Sequence, residues 1–414
     1  MMRIDFGEPK PLDSLDGLRL HDPAAYVERC RHDVWRALRL HRPVGREEMP
    51  DGTPYWSFAS YADCDRIVKD TETFSSEDGT ILASVGVGDS AGGQTITLMD
   101  PPDHGAIRRP LMRTMRQSVV RRRSESVREK VLRLIDPLVG GGVHDVARLM
   151  RLLPMVAVGE LLGIPERHWE TIAFNTTASI APEDPEYAVG RDVGDTLRRV
   201  HHRLFACFSD SIEARRRDRG DDVVSALLDL EVAGRPIDDR RVMLNCYSVA
   251  LGANSTTPHV ACHTLLALAL RPEVWRTVVD DPSVVPALVE EGARWTSPTH
   301  HLVRRVTADT EVGGARMAKG DWVCAWVASA NRDERVFDDP YTFDVRRSPN
   351  PHLSFGAGAH YCIGAPSSRF ALSVLFEELA RRRMRFEVAG EIRHLHSNWI
   401  NGITSLPMRF VRDA

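Results

Sequence analysis

The chain has 414 residues, 43% of them hydrophobic, and a formal net charge of −4. That length buries a large core, and the mildly acidic balance gives no general affinity for nucleic acid. Seven cysteines, at 30, 64, 207, 246, 262, 324 and 362, form no paired framework, which fits a reducing compartment and excludes a disulfide scaffold.

From the start, Met1 to Pro23 is polar, with no apolar stretch to act as signal peptide or membrane anchor. The expectation is a cytoplasmic protein with no membrane contact. Ala24 to Leu40 reads as an amphipathic helix, Tyr55 to Ser60 as an alternating strand and Tyr61 to Asp70 as a helix. Residues 78–98 are rich in Gly and Ser; so long an irregular segment inside a compact protein is functional or disordered. Met99-Asp-Pro-Pro-Asp-His104 opens a helix, because prolines and acids suit a first turn. His104 and Arg108 then share a face, four residues apart. From Arg108 to Arg133 the chain is crowded with arginines, either a solvated face or a docking surface for an acidic partner. Residues 150–235 carry several helical patterns broken at Pro165 and Pro182. No linker, charge block or internal repeat divides the chain, so residues 1–414 read as one domain.

Arg241 to Leu270 is apolar nearly all round and reads as one long buried helix. It contains Gly252-Ala-Asn-Ser-Thr-Thr-Pro258. Pro258 removes the helix bond to the carbonyl of Asn254, giving either a kink or a local opening. Glu291 and Arg294 stand three apart on the next helix and can pair. The most telling segment is Phe355-Gly-Ala-Gly-Ala-His-Tyr-Cys362-Ile-Gly-Ala-Pro366, ahead of a helix from Ser367 to Arg382. Glycines let the backbone turn tightly and approach a large flat ligand. A helix N-terminus favours thiolate at Cys362, and a thiolate fixed in such a loop is a haem ligand. A lone cysteine is more often a core residue, and zinc lacks a second ligand pair. The glycines and His360 shift the balance to haem.

Phe355-Gly356-x-Gly358-x-His360-x-Cys362-x-Gly364-Ala365 resembles the haem-binding loop of the cytochrome P450 family. Ser367-Ser368-Arg369 follows where the soluble bacterial branch often has Leu-Ala-Arg. The resemblance extends over nearly the whole chain. It implies a mainly α fold with a small β portion and a haem b buried between the long central helix and the cysteine-loop helix. Cys362 would be the axial ligand of the iron, in a loop shaped by Phe355, Gly356 and Gly364. His104, Arg108, Arg304 and His360 would hold the haem propionates, since buried carboxylates need cations or donors. Glu291 and Arg294 would anchor the meander, matched by Asn331 to Asp333, Phe337 to Pro340 and Phe343 to Arg346.

Relatives carry small-Gly-x-Asp/Glu-Thr-Thr on the central helix. A gap-free register puts Thr256 on the catalytic threonine, Ser255 on the acid and Ala253 on the glycine. A second register puts Asn254 on the acid and Ser255 on the threonine. Both lose the carboxylate, and a serine or amide is no substitute as a proton shuttle. By family position the pocket is lined by the 78–98 loop, parts of 165–185, Ala253, Thr256, Thr299, His300, His301, Val303, Trp399 and Ile400, with Asn398 and Asn401 nearby. That lining is more polar and aromatic than a fatty-acid tunnel needs. The implied function is a soluble, monomeric haem-thiolate monooxygenase acting on a bacterial secondary metabolite with an aromatic, peptide-like or diketopiperazine scaffold. It would hydroxylate the metabolite or couple it oxidatively, with electrons from ferredoxin and ferredoxin reductase. The contrasting reading is a haem-binding ligand carrier or sensor without turnover.

Overall fold

The computed structural model describes residues 9–412 except 13, 16, 29, 30 and 233. Cys30 and the middle of the first expected helix lie outside the described residues; Ala25–Glu28 and Arg31–His41 flank the gap as helices. Helices dominate, and the β portion is small, as the sequence resemblance implies. No described helix is long and apolar enough to cross a membrane.

The largest sheet has five strands. Val44–Glu48 pairs with Pro54–Phe58 as an antiparallel hairpin, and Val44 faces Phe58. Pro54–Phe58 runs parallel to Trp322–Ala325, which pairs antiparallel with Leu302–Val306. Phe74–Ser75 closes the edge. These segments are rich in aromatic and β-branched residues, which suit a half-buried pleated surface. The register sets Arg304 beside Val323, so the sheet is the platform that carries this arginine to the site.

The expected single helix from Arg241 to Leu270 is two helices, Asp239–Asn254 and Thr257–Ala269. The break falls at Ser255 and Thr256, where Thr256 has φ −126° and ψ −54°. Pro258 explains it: with no N–H, it cannot bond the carbonyl four residues back, and it sits in the first turn of a new helix. Beyond the break every residue from Thr257 to Leu268 is buried, as expected of a helix apolar on all sides. Full burial of a leucine such as Leu265 contributes roughly 2 kcal/mol.

The Ala365–Arg381 helix starts from Gly364, with Pro366 in its first turn. It buries Ala371, Leu372, Leu375, Phe376 and Leu379 against the Ser124–Val139, Leu153–Leu162 and Val285–Thr296 helices. The 78–98 loop is pinned rather than free. Val303 N–H donates to the Thr80 carbonyl, and Asn245 holds Gln94 and Ile96. Gly79 has φ +140°, and a Cβ there would lie 2.2 Å from that of Ser84, so only glycine fits.

Candidate active site

Cys362 lies at the end of a tight loop whose turns need Gly356 (φ +66°) and Gly358 (φ +64°). A side chain at Gly358 would also press on the Lys69 backbone at 3.0 Å. The Cys362 N–H donates to the Phe355 carbonyl at 2.8 Å, which fixes the aromatic ring's residue against the cysteine. Burial pushes the Cys362 thiol up, against the opposing pull of the Gly364 and Ala365 amides, Arg108 and Arg369. The amides at the helix start favour the thiolate, as the sequence predicts, but burial outweighs them. A metal cation bound at Cys362 would supply the missing stabilisation, since metal ligation deprotonates a thiol outright.

His104, Arg108, Arg304 and His360 converge from three elements: the Asp103–Met115 helix, the Leu302–Val306 strand and the cysteine loop. The His104 and His360 rings lie 4.4 Å apart. Arg108 donates to the Tyr361 carbonyl. His104 and Arg304 are each 2% exposed, and the Nε2 of one and the Nε of the other have no hydrogen-bond partner among the described residues. Burial lowers His104 to about 4, helped by His360 and Arg108. Burial likewise lowers Arg304 to about 10, with Asp100 opposing. Buried donors without partners are costly. The two carboxylates of a haem would supply acceptors where these donors lack them, so the residues fit the group.

Sequence reasoning missed Asp100 in this cluster. Its carboxylate accepts from Ser75 and Ser76 and lies 3.6 Å from His360 Nε2. Burial pushes Asp100 up, but His360, Ser75 and Ser76 outweigh it and hold the group below its usual range. The signal was present in the Asp100-Pro-Pro-x-His104 run, which points to His104 and Arg108 but not to the acid itself.

On the other side, the broken helix presents Ser248, Gly252 and Thr256 at four-residue spacing, hence on one face. Gly252 is exposed, and Ala253 and Thr256 are half-buried. Thr256 Oγ1 donates to the Gly252 carbonyl at 3.1 Å. Ser255 and Asn254 turn into the protein, 1% and 2% exposed. Ser255 Oγ donates to the Leu251 carbonyl at 2.7 Å, and Asn254 Nδ2 to the Ala250 carbonyl at 2.7 Å. Asn254 Oδ1 has no partner.

The pocket residues expected from the resemblance divide. Thr299 and Trp399 are half-buried, and Thr299 forms a backbone bridge to the buried Ile400. Val303 is enclosed in the cluster around Trp35 and Trp326. His300 and His301 do not provide the polar lining expected of them. His300 Nε2 lies 3.3 Å from Arg31, and its ring packs on Tyr26 at 4.8 Å. His301 Nε2 accepts from Leu82 N–H at 3.1 Å, which ties the 78–98 loop to the sheet. Burial lowers His301 to about 3 and His300 well below its usual range. Hydroxyls cluster instead where the 78–98 loop and the 165–185 segment, both expected pocket walls, meet the Asp239–Asn254 helix. Thr97 Oγ1 and Ser248 Oγ are 2.9 Å apart, Tyr247 donates to Ser179 at 3.1 Å, and His201 approaches Tyr247 at 3.4 Å. Helical spacing from Gly252 could have pointed to Ser248.

Glu291 and Arg294 pair bidentately at 2.8 and 2.7 Å, and both are fully buried. Arg294 also donates to the carbonyls of Asn331, Pro340 and Thr342. A third partner was missed: Arg347 Nε lies 3.2 Å from Glu291, and Arg347 also binds the Asp338, Asp339 and Thr342 carbonyls. The sequence match stopped one residue short, at Arg346.

The family model for cytochrome P450 matches residues 189–390. Linalool 8-monooxygenase of Pseudomonas putida is 30% identical over 94% of this chain and 97% of its own length. Cytochrome P450 NovI of Streptomyces niveus is 30% identical over 97% of both. Among solved structures, Mycobacterium marinum cytochrome P450 CYP268A2 in complex with pseudoionone has a TM-score of 0.87 at 28% identity, over 96% of this chain and 99% of that one. P450 OxyD, involved in the biosynthesis of vancomycin-type antibiotics, has a TM-score of 0.82 at 31% identity, over 96% of this chain and 100% of that one. With these end-to-end matches behind the cysteine loop and the cation cluster, the chain belongs to the cytochrome P450 family, monooxygenases that bind haem b.

Proposed function

We propose that this monooxygenase oxidises a bacterial secondary metabolite with an aromatic, peptide-like or diketopiperazine scaffold. The outcome is hydroxylation or oxidative C–C or C–N coupling. Bound haem supplies the iron at which dioxygen is activated, with Cys362 as its thiolate ligand. His104, Arg108, Arg304 and His360 hold the propionates. Two electrons come from ferredoxin and its reductase. Thr256 holds a hydroxyl at the helix opening, where it can pass or orient a proton.

One observation carries the choice between insertion and coupling. Thr256 faces the open side, whereas Ser255, at the usual place of the acid, bonds the Leu251 carbonyl. With no carboxylate beside Thr256, proton delivery depends on substrate hydroxyls or water, and hydrogen abstraction followed by coupling competes with oxygen insertion. The Thr97 and Ser248 hydroxyls, and those of Tyr247 and Ser179 beside the His201 imidazole, favour a substrate carrying rings and polar substituents. NovI and OxyD, among the relatives, support the secondary-metabolite assignment.

The test is a Soret-shift binding screen with aromatic, peptidyl and terpenoid panels, followed by turnover of the hits under ¹⁸O₂. The expected result is binding by aromatic or peptidyl compounds and a product that is either ¹⁸O-labelled or coupled. Selective binding and turnover of simple terpenoids would contradict it. Sustained NADPH consumption with redox partners separates an enzyme from a ligand carrier.

A further inference from the structure

We infer that Arg369 and Glu290 form a charge couple that tunes the haem reduction potential through Phe355 and Cys362. Arg369 is seven residues after Cys362, about one turn into the helix that the cysteine loop feeds. Side chains on a helix lean toward its N-terminus, and Arg369 does so. Its guanidinium carbon sits 4.2 Å above the Phe355 ring centroid, a cation–π stack. The Phe355 carbonyl is the acceptor for Cys362 N–H. Arg369 Nη1 donates to the Tyr361 hydroxyl at 2.9 Å, so the guanidinium touches residues on both sides of the cysteine loop.

Glu290 closes the couple. Arg369 Nε and Nη2 reach its two carboxylate oxygens at 2.5 and 2.8 Å. His352 Nε2 stands 3.2 Å from the same carboxylate. Arg369 and Glu290 side chains are 34% and 32% exposed, so their fields are damped by solvent but not abolished. Burial pushes Glu290 up, yet Arg369 and His352 hold it at about 2, so it stays charged at working pH.

The electrostatics have a definite sign. The Arg369 guanidinium is a positive charge held against Phe355 and Tyr361, the two residues that bracket the cysteine turn. One electron from the donor protein converts ferric to ferrous haem, adding negative charge to the haem-thiolate unit. The guanidinium stabilises that added charge, and the carboxylate opposes it. Arg369 and Glu290 are therefore positioning residues with opposite effects on one equilibrium. Arg108, at the Tyr361 carbonyl, adds to the effect of Arg369 and is unchanged in the variants below.

The inference rests on the haem-thiolate reading. The experiment is a redox titration of the haem-loaded protein at pH 8. The variants are Arg369→Gln, Glu290→Gln, Arg369→Lys and the double Gln variant. A mere structural clip between two helices predicts the same consequence from either single loss, because each breaks the same ion pair. The charge couple predicts opposite shifts: Arg369→Gln to more negative potential and Glu290→Gln to more positive. Each shift is on the order of threefold in the ferric–ferrous equilibrium constant. The double variant returns toward the parent, and Arg369→Lys lies closer to the parent than Arg369→Gln. Shifts of the same sign, or none, overturn the inference. Loss of the thiolate-type band in the carbon monoxide spectrum of the unaltered protein would instead overturn the cofactor reading.

Discussion

The two sides of the site are built differently. Around Cys362 and the meander, ionic groups are clamped: Glu291 takes Arg294, Arg347, the Asp344 amide and Asn350. Across from it, the broken helix offers hydroxyls and amides and no carboxylate at the opening. In the proposed function the clamped side places the metal ligand, and its geometry is over-determined. The open side would then decide what is done with oxygen, and its weak neutral groups would leave that choice to the substrate. A clamped network fails as a unit, whereas single hydroxyls fail one at a time.

The largest expected effect lies on the clamped side. Arg294→Leu leaves Glu291 buried with its main partner gone, and breaking such a pair costs about 3–5 kcal/mol. Urea unfolding with haem retention as a second readout checks it; a midpoint within error of the parent would break the comparison. Next comes acid sensitivity. Burial lowers His259 to about 4 and His301 to about 3, from the ordinary 6.5 of a histidine. Both are neutral in the fold and charge more readily once unfolded. Stability is therefore full above pH 6.5 and falls as pH drops toward 4 and then 3, by up to about 1.4 kcal/mol per pH unit for each histidine. Denaturation midpoints at pH 7 and pH 5 should show this loss, and His259→Gln should lessen it.

Smaller effects belong to the open side. Thr256→Ala should leave folding unchanged and lower product per electron by about tenfold, within the range for a lost acid–base group. Unchanged coupling would move the proton path elsewhere. Ser255→Ala should do least, a change under about twofold, because its hydroxyl already bonds the Leu251 carbonyl. A loss as large as that of Thr256→Ala would place Ser255 on the proton path and erase the contrast.

The legible parts of the site were those carried by contiguous chain. Cys362 and its glycines form one turn of backbone, and His104 and Arg108 one face of a helix, so local geometry sufficed. Where a side chain is aimed by tertiary contacts, the reading failed. His300 and His301 precede a strand, and their direction is set by Arg31 and Leu82, both more than two hundred residues away in sequence. Arg346 and Arg347 are indistinguishable until the meander folds; only Arg347 reaches Glu291. The helix break was half legible, since Pro258 signalled a lost bond but not whether the helix would bend or restart.

The central claim is that Cys362 is the thiolate ligand of a haem. The carbon monoxide difference spectrum of the reduced, haem-loaded protein tests it most directly, compared with Cys362→Ser. A thiolate-type Soret band that disappears in the variant is the predicted result. A band absent from the parent, or retained by the variant, would contradict it.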